Sequence, residues 1–174
     1  MDLSTIVQLS RKYGSNRDYV LAGGGNTSRK DSQFLHVKPS GVKLADICED
    51  DFVRMDRAAI RKCFQLQEFA DKDAREEAVK RLMADAVCPG SKGRPSVEAP
   101  LHEIIPNTFV VHLHPAMVNG MTCGVNGGDA CAKLFPDALW IDYVDPGFIL
   151  AKTVFDAGNR YASQHGKAPK IIFL

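Results

Sequence analysis

Two histidines, His112 and His114, close the run Thr108-Phe109-Val110-Val111-His112-Leu113-His114-Pro115. A β-branched and aromatic run that ends at proline reads as a strand, in which residues two apart project to the same face. The spacing sets Phe109, Val111 and Leu113 on one side and both imidazoles on the other. Two neutral imidazoles on one rigid face can chelate a divalent metal such as zinc. An isolated H-x-H pair is equally compatible with two half-exposed strand histidines, so the surrounding residues have to decide.

Upstream lies Arg94-Pro95-Ser96-Val97-Glu98-Ala99-Pro100-Leu101-His102-Glu103-Ile104-Ile105-Pro106. Ser96 reads as a helix cap, and Pro100 fits only within a first turn, so a helix starts about there. Glu98 and His102 share one face of it. Alone, Glu98 reads as a favourable charge on the helix dipole, and His102 as a satisfied structural histidine. His102-Glu103-Ile104-Ile105 opens like H-E-x-x-H, but residue 106 is proline, which excludes that metalloprotease motif.

Three turns offer small polar groups and backbone amides: Gly24-Gly25-Asn26-Thr27-Ser28, Lys38-Pro39-Ser40-Gly41 and Arg94-Pro95-Ser96. Glycine lets the main chain approach a ligand, and clustered amides with hydroxyls make a phosphate nest. None matches a Walker A or G-x-G-x-x-G fingerprint. Each alone reads as a structural turn, and ligand binding becomes the better reading only if they converge near the metal.

The elements that must position these residues follow from periodicity and breakers. A helix from Asp2 to Tyr13 carries Leu3, Ile6, Val7 and Tyr13 near one face and stops at Gly14. Strands are expected at Phe34 to Lys38 and Phe52 to Met55, then amphipathic helices at Arg57 to Phe69 and Ala74 to Val87. Cys88-Pro89-Gly90-Ser91-Lys92-Gly93 breaks the pattern. Beyond the histidine strand come short helices at Pro115 to Thr122 and Gly128 to Leu134, then a strand at Leu139 to Ile141. A helix from Phe148 to Gln164 leads to an apolar strand, Lys170 to Leu174. A bare core strand at that point leads us to expect a longer protein, with residues 1–174 as one domain of it.

The 174 residues suffice for one domain with a real core, and 45% hydrophobic with 25% charged content is ordinary for a globular chain. A net charge of +1 without a basic stripe argues against a nucleic-acid partner. No apolar run is long enough to span a bilayer, which argues against a membrane partner. The five cysteines are scattered and free of C-x-x-C spacing, which suits reduced thiols in the cytoplasm better than disulfides or a thiolate zinc site.

Taken in order, Gly25-Asn26-Thr27-Ser28, Lys38-Pro39-Ser40-Gly41, Arg94-Pro95-Ser96-Val97-Glu98 with His102, and Val111-His112-Leu113-His114-Pro115 resemble the class II aldolase/adducin family. The match is nearest to a bacterial branch related to rhamnulose- and fuculose-phosphate aldolases. The resemblance covers essentially the whole chain, and the ordered combination is what makes it specific. It implies an α/β fold: a three-layer α/β/α domain around a mixed, largely antiparallel sheet, assembled as a homo-oligomer, commonly a tetramer. By position it makes His112 and His114 two of three ligands to Zn²⁺ or another divalent metal. It makes Glu98 the carboxylate that moves the proton beside the substrate carbonyl, and Gly25, Asn26, Ser40, Gly41 and Ser96 the phosphate cradle.

The implied reaction is cleavage of a ketose 1-phosphate to dihydroxyacetone phosphate and an aldehyde through a metal-stabilised enediolate. A sugar-phosphate epimerase or dehydratase, or a non-catalytic adducin-like interaction module, would use the same fold. The family's third histidine lies in a turn just after a strand like Lys170 to Leu174, so residues 1–174 alone are expected to bind metal weakly and to show little activity. His165 reads as a helix-end residue and not as that ligand. Tyr143 is in the right half of the chain for the family's tyrosine acid, with nothing nearby to identify it.

Overall fold

The computed structural model describes residues 2–66 and 71–174. Helix α1 (Ser4–Gly14) buries Ile6, Val7 and Ser10 along one face. Strands β1 (Asn26–Lys30), β2 (Phe34–Val37) and β3 (Val53–Asp56) follow, then β4 (Phe109–His112). These four form one antiparallel sheet in the order β3-β2-β1-β4. A separate parallel pair joins β5 (Leu139–Trp140) to β6 (Ile172–Phe173), so antiparallel and parallel strands are both present but in two sheets.

Alternation along β1 shows how helices cover both faces of the larger sheet. Thr27 Oγ1 lies 2.7 Å from Ser10 Oγ on α1. The next residue, Ser28, points the other way, to His102 on helix α4 (Ala99–Ile104). On that second face Leu35, Val37, Val53 and Met55 pack under helix α2 (Arg57–Arg61) and helix α3 (Lys72–Asp85), joined by Ala99 and Phe148. Ile60, wholly buried at the centre of this cluster, contributes on the order of 1.5–3 kcal/mol by leaving water. Leu3, Ile6 and Val7 pack on Ile47 and Phe52 as a second cluster. Helix α7 (Phe148–His165) and α4 enclose a third around Leu101, Ile141, Ala151 and Val154. Helices α5 (Ala116–Thr122) and α6 (Gly127–Leu134) form a hairpin after β4.

Three elements differ from the sequence expectation. The helix expected over Arg57 to Phe69 is α-helical only to Arg61; a tight 3₁₀ segment over Lys62–Gln65 buries Cys63 and lays Phe64 on Phe148, and Leu66 is extended. Residues 67–69 lie outside the described residues. Asn26 to Ser28 belong to a central strand and not to a turn, because β2 and β4 pair with β1 from either side. Ser96 does not cap α4: its Oγ accepts from Glu98 N at 3.2 Å one turn earlier, and Pro100 sits in the first turn of the helix.

Candidate metal centre and active-site cleft

His112, the last residue of β4, stands opposite Asn26 of β1. Its ring stacks on that of His114, with centroids 4.9 Å apart and planes at 25°. Both imidazoles therefore lie on one side, as their two-residue spacing requires. Gly25, immediately before Asn26, has φ +72°, and a Cβ there would meet the His112 carbonyl at 2.9 Å and Val20 Cγ1 at 2.8 Å. The close approach of the two chains at the histidine strand thus depends on glycine.

Glu98 sits at the start of α4 with Oε1 3.2 Å from His112 Nδ1. That is an ion-pair distance without hydrogen-bond alignment, and His112 Nδ1 remains buried without a hydrogen-bond partner among the described residues. One turn along α4, His102 is completely buried, with Nδ1 2.7 Å from Ser28 Oγ. One ligand atom from each of Glu98, His102 and His112 lies within 4.8 Å of the others, a grouping able to hold a metal ion. Asn26 Oδ1 and His102 Nε2 are likewise buried without a partner among the described residues.

Electrostatics suit a cation here. Burial, more than the nearby charges, holds His102 down to about 3, so its ring is neutral at physiological pH. Burial and then the neighbouring His112 lower His114 as well. Burial alone would raise Glu98, but the adjoining His112 and the Asn26 side chain outweigh it and bring the carboxyl down to about 2. An ionised carboxylate near the His102 and His114 rings, both held toward the neutral form, is a donor set that fits zinc and similar divalent ions.

Glu98, His102, His112 and His114 line one wall of a cleft of about 480 Å³, and Tyr143 and Lys170 line another part. Tyr143 is mostly exposed, its hydroxyl 3.2 Å from Asp145 Oδ1. Two of the three turns meet, and the Lys38 turn also reaches β1, Lys38 N donating to Thr27 O at 3.0 Å. Ser40 N donates to Arg94 O at 3.1 Å, and a Cβ on Gly93 would lie 3.2 Å from Pro39. Gly25, Asn26, Ser40, Gly41 and Ser96 are not among the residues lining the cleft itself. Asn26 and Ser96 are buried, whereas Ser40 and Gly41 face solvent. His165 is remote from this group: it closes α7, with Nδ1 2.9 Å from the Tyr161 carbonyl.

Two features of the site carry little sequence signal. Lys30 is buried and its Nζ donates to the His102 carbonyl. Glu103, also buried, bridges Arg57 at 2.8 Å and Arg61 at 2.7 Å, tying α4 to α2. The period-two run Asn26, Ser28, Lys30 would have placed all three on one strand face, had β1 been read as a strand from Asn26.

Residues 4–168 match the family described as the class II aldolase and adducin N-terminal domain. The chain belongs to that family. A solved structure of the N-terminal class II aldolase domain of a conserved protein from Thermoplasma acidophilum is 30% identical, with a TM-score of 0.78, covering 90% of this chain and 75% of that one. An L-fuculose 1-phosphate aldolase shares the fold at 21% identity, with a TM-score of 0.55 over 90% of this chain and 68% of its own. The curated protein named "Uncharacterized oxidoreductase YuxG" from Bacillus subtilis (strain 168) is 30% identical over 169 residues. Those residues are 90% of this chain and 24% of the relative, so the chain spans about a quarter of that protein's length.

Proposed function

We propose that the protein is a metal-dependent aldehyde-lyase that cleaves a ketose 1-phosphate to dihydroxyacetone phosphate and an aldehyde. The observation that carries this reading is the ionised Glu98 carboxylate, 3.2 Å from His112, in the cleft wall that also holds the stacked His114. Similarity of fold to an L-fuculose 1-phosphate aldolase supports the choice of substrate class.

In the condensation direction, Glu98 removes a proton from the carbon beside the ketone carbonyl, and that carbon bonds to the aldehyde carbon. Cleavage reverses this: the hydroxyl on the departing carbon gives its proton to water as the carbon–carbon bond breaks, the aldehyde departs, and protonated Glu98 returns its proton to the carbon beside the ketone; in condensation the new hydroxyl takes its proton from water. His112 and His114 are the residues proposed to hold Zn²⁺ or another divalent ion, which when bound polarises the carbonyl. Asn26, Gly25, Ser40, Gly41 and Ser96, through amide N–H and hydroxyl donors, are proposed to take the phosphate. We also propose a homo-oligomer, a tetramer in the first instance, supported by exposed Met117, Val125 and Leu134 on and beside α5 and α6.

Release of dihydroxyacetone phosphate from fuculose or rhamnulose 1-phosphate by the full-length protein tests the reaction. Zinc-dependent release that stops on chelation is the expected result. Metal-dependent turnover without carbon–carbon cleavage would instead favour an epimerase or dehydratase, and metal-free protein without turnover would favour an interaction module.

A further inference from the structure

Helix α4 carries a buried imidazole that the proton transfer above does not employ. His102 is wholly buried; its Nδ1 contacts Ser28 Oγ at 2.7 Å, and its Nε2 has no hydrogen-bond partner among the described residues. Among those residues Ser28 Oγ has no other hydrogen-bond partner, so its hydrogen has one acceptor, Nδ1. A hydroxyl hydrogen given to Nδ1 places the ring proton on Nε2. A buried N–H left without an acceptor is costly, and the carboxylate grouped with this ring within 4.8 Å is that of Glu98.

We infer that Ser28 fixes His102 as the Nε2–H tautomer and that the ring, grouped with Glu98 within 4.8 Å but not hydrogen-bonded to it, positions that carboxylate through the field of its N–H, which makes His102 a positioning residue and not a metal ligand. The opposite tautomer would strand two buried groups, the Ser28 hydrogen and the Nε2 lone pair. A metal on Nε2 would relieve the second of these, so the position of one proton separates the two roles. Lys30, which donates to the His102 carbonyl, holds the same turn of α4 from the adjoining position on the strand face.

The kinetic consequence rests on the lyase reading; the tautomer does not. Long-range ¹H–¹⁵N spectra of the chain carrying ¹⁵N-histidine, recorded metal-free and with one equivalent of zinc, read the tautomer directly. The Nε2–H pattern for His102 in both states is expected. An Nδ1–H pattern in either state, or a zinc-induced shift that marks Nε2 as a ligand, would overturn the inference. Ser28→Ala should mix the tautomers and Ser28→Thr restore the single one; an unchanged tautomer in Ser28→Ala would remove Ser28 from the role. With substrate, Ser28→Ala should lower kcat about 10-fold at unchanged KM and zinc content. An unchanged kcat would overturn the positioning of Glu98, and absence of cleavage in the wild type would sink the lyase reading while leaving the tautomer result standing.

Discussion

Glu98 and His112 depend on one another: the carboxylate is held ionised by the imidazole beside it, and that imidazole has no hydrogen-bond partner among the described residues. Replacing Glu98 by Gln keeps shape and removes the charge and the base. Glu98→Gln should retain zinc, measured by metal analysis, while losing about 10²–10⁴-fold in cleavage rate. A fully active Glu98→Gln protein would take Glu98 out of the proton transfer. His112 borders the cleft, its side chain about a fifth exposed, so His112→Ala should lose metal and keep native circular dichroism. That His112 and His114 share a side was legible in the sequence from strand alternation, but the stacking of their rings was not. The contact between His102 and Ser28 was not, since the two are 74 residues apart and each is polar without a pattern that points to the other.

At the scale of elements, everything the site needs from α4 depends on how firmly that short helix is fixed. Glu103 anchors it, fully buried between Arg57 and the more exposed Arg61. Removing the acid leaves Arg57 underpaired, so Glu103→Ala should cost about 3–5 kcal/mol. Arg61→Ala, which loses a largely solvated partner, should cost under about 1 kcal/mol. Urea unfolding of both variants checks the contrast, and equal midpoints would contradict it. Helix and strand positions were largely readable from periodicity, as α1, β2, α3, α5 and α7 show. Failures came where tertiary packing overrode local pattern. The segment after Arg61 tightens to bury Cys63 and place Phe64 on Phe148, and the end of the glycine-rich stretch, Asn26 to Ser28, joins a central strand because two neighbours pair with it.

For the molecule as a whole, the pairing of strands was the least legible level: alternation announces a strand but not its neighbours, and only the coordinates separate β5–β6 from the four-stranded sheet. The buried site also couples chemistry to global stability. His102 stays neutral in the fold down to about 3 but takes a proton when unfolded near its ordinary value of 6.5. The unfolded state thus binds more protons between those values, and stability falls as pH drops through that window. Glu98 acts in the same direction between 4.5 and about 2, where the unfolded carboxyl is protonated and the folded one is not. Thermal melts from pH 7 to pH 4 should therefore show a steady decline in Tm that His102→Gln flattens; an equally steep decline in that variant would contradict the assignment. Light scattering in solution checks the proposed tetramer, and a monomer at all concentrations would remove it. The most direct measurement of the metal site is anomalous diffraction at the zinc edge from zinc-loaded crystals. A single peak within bonding distance of His112 and His114, beside Glu98, is the expected result. A cleft with no peak, or zinc bound only elsewhere, would contradict it.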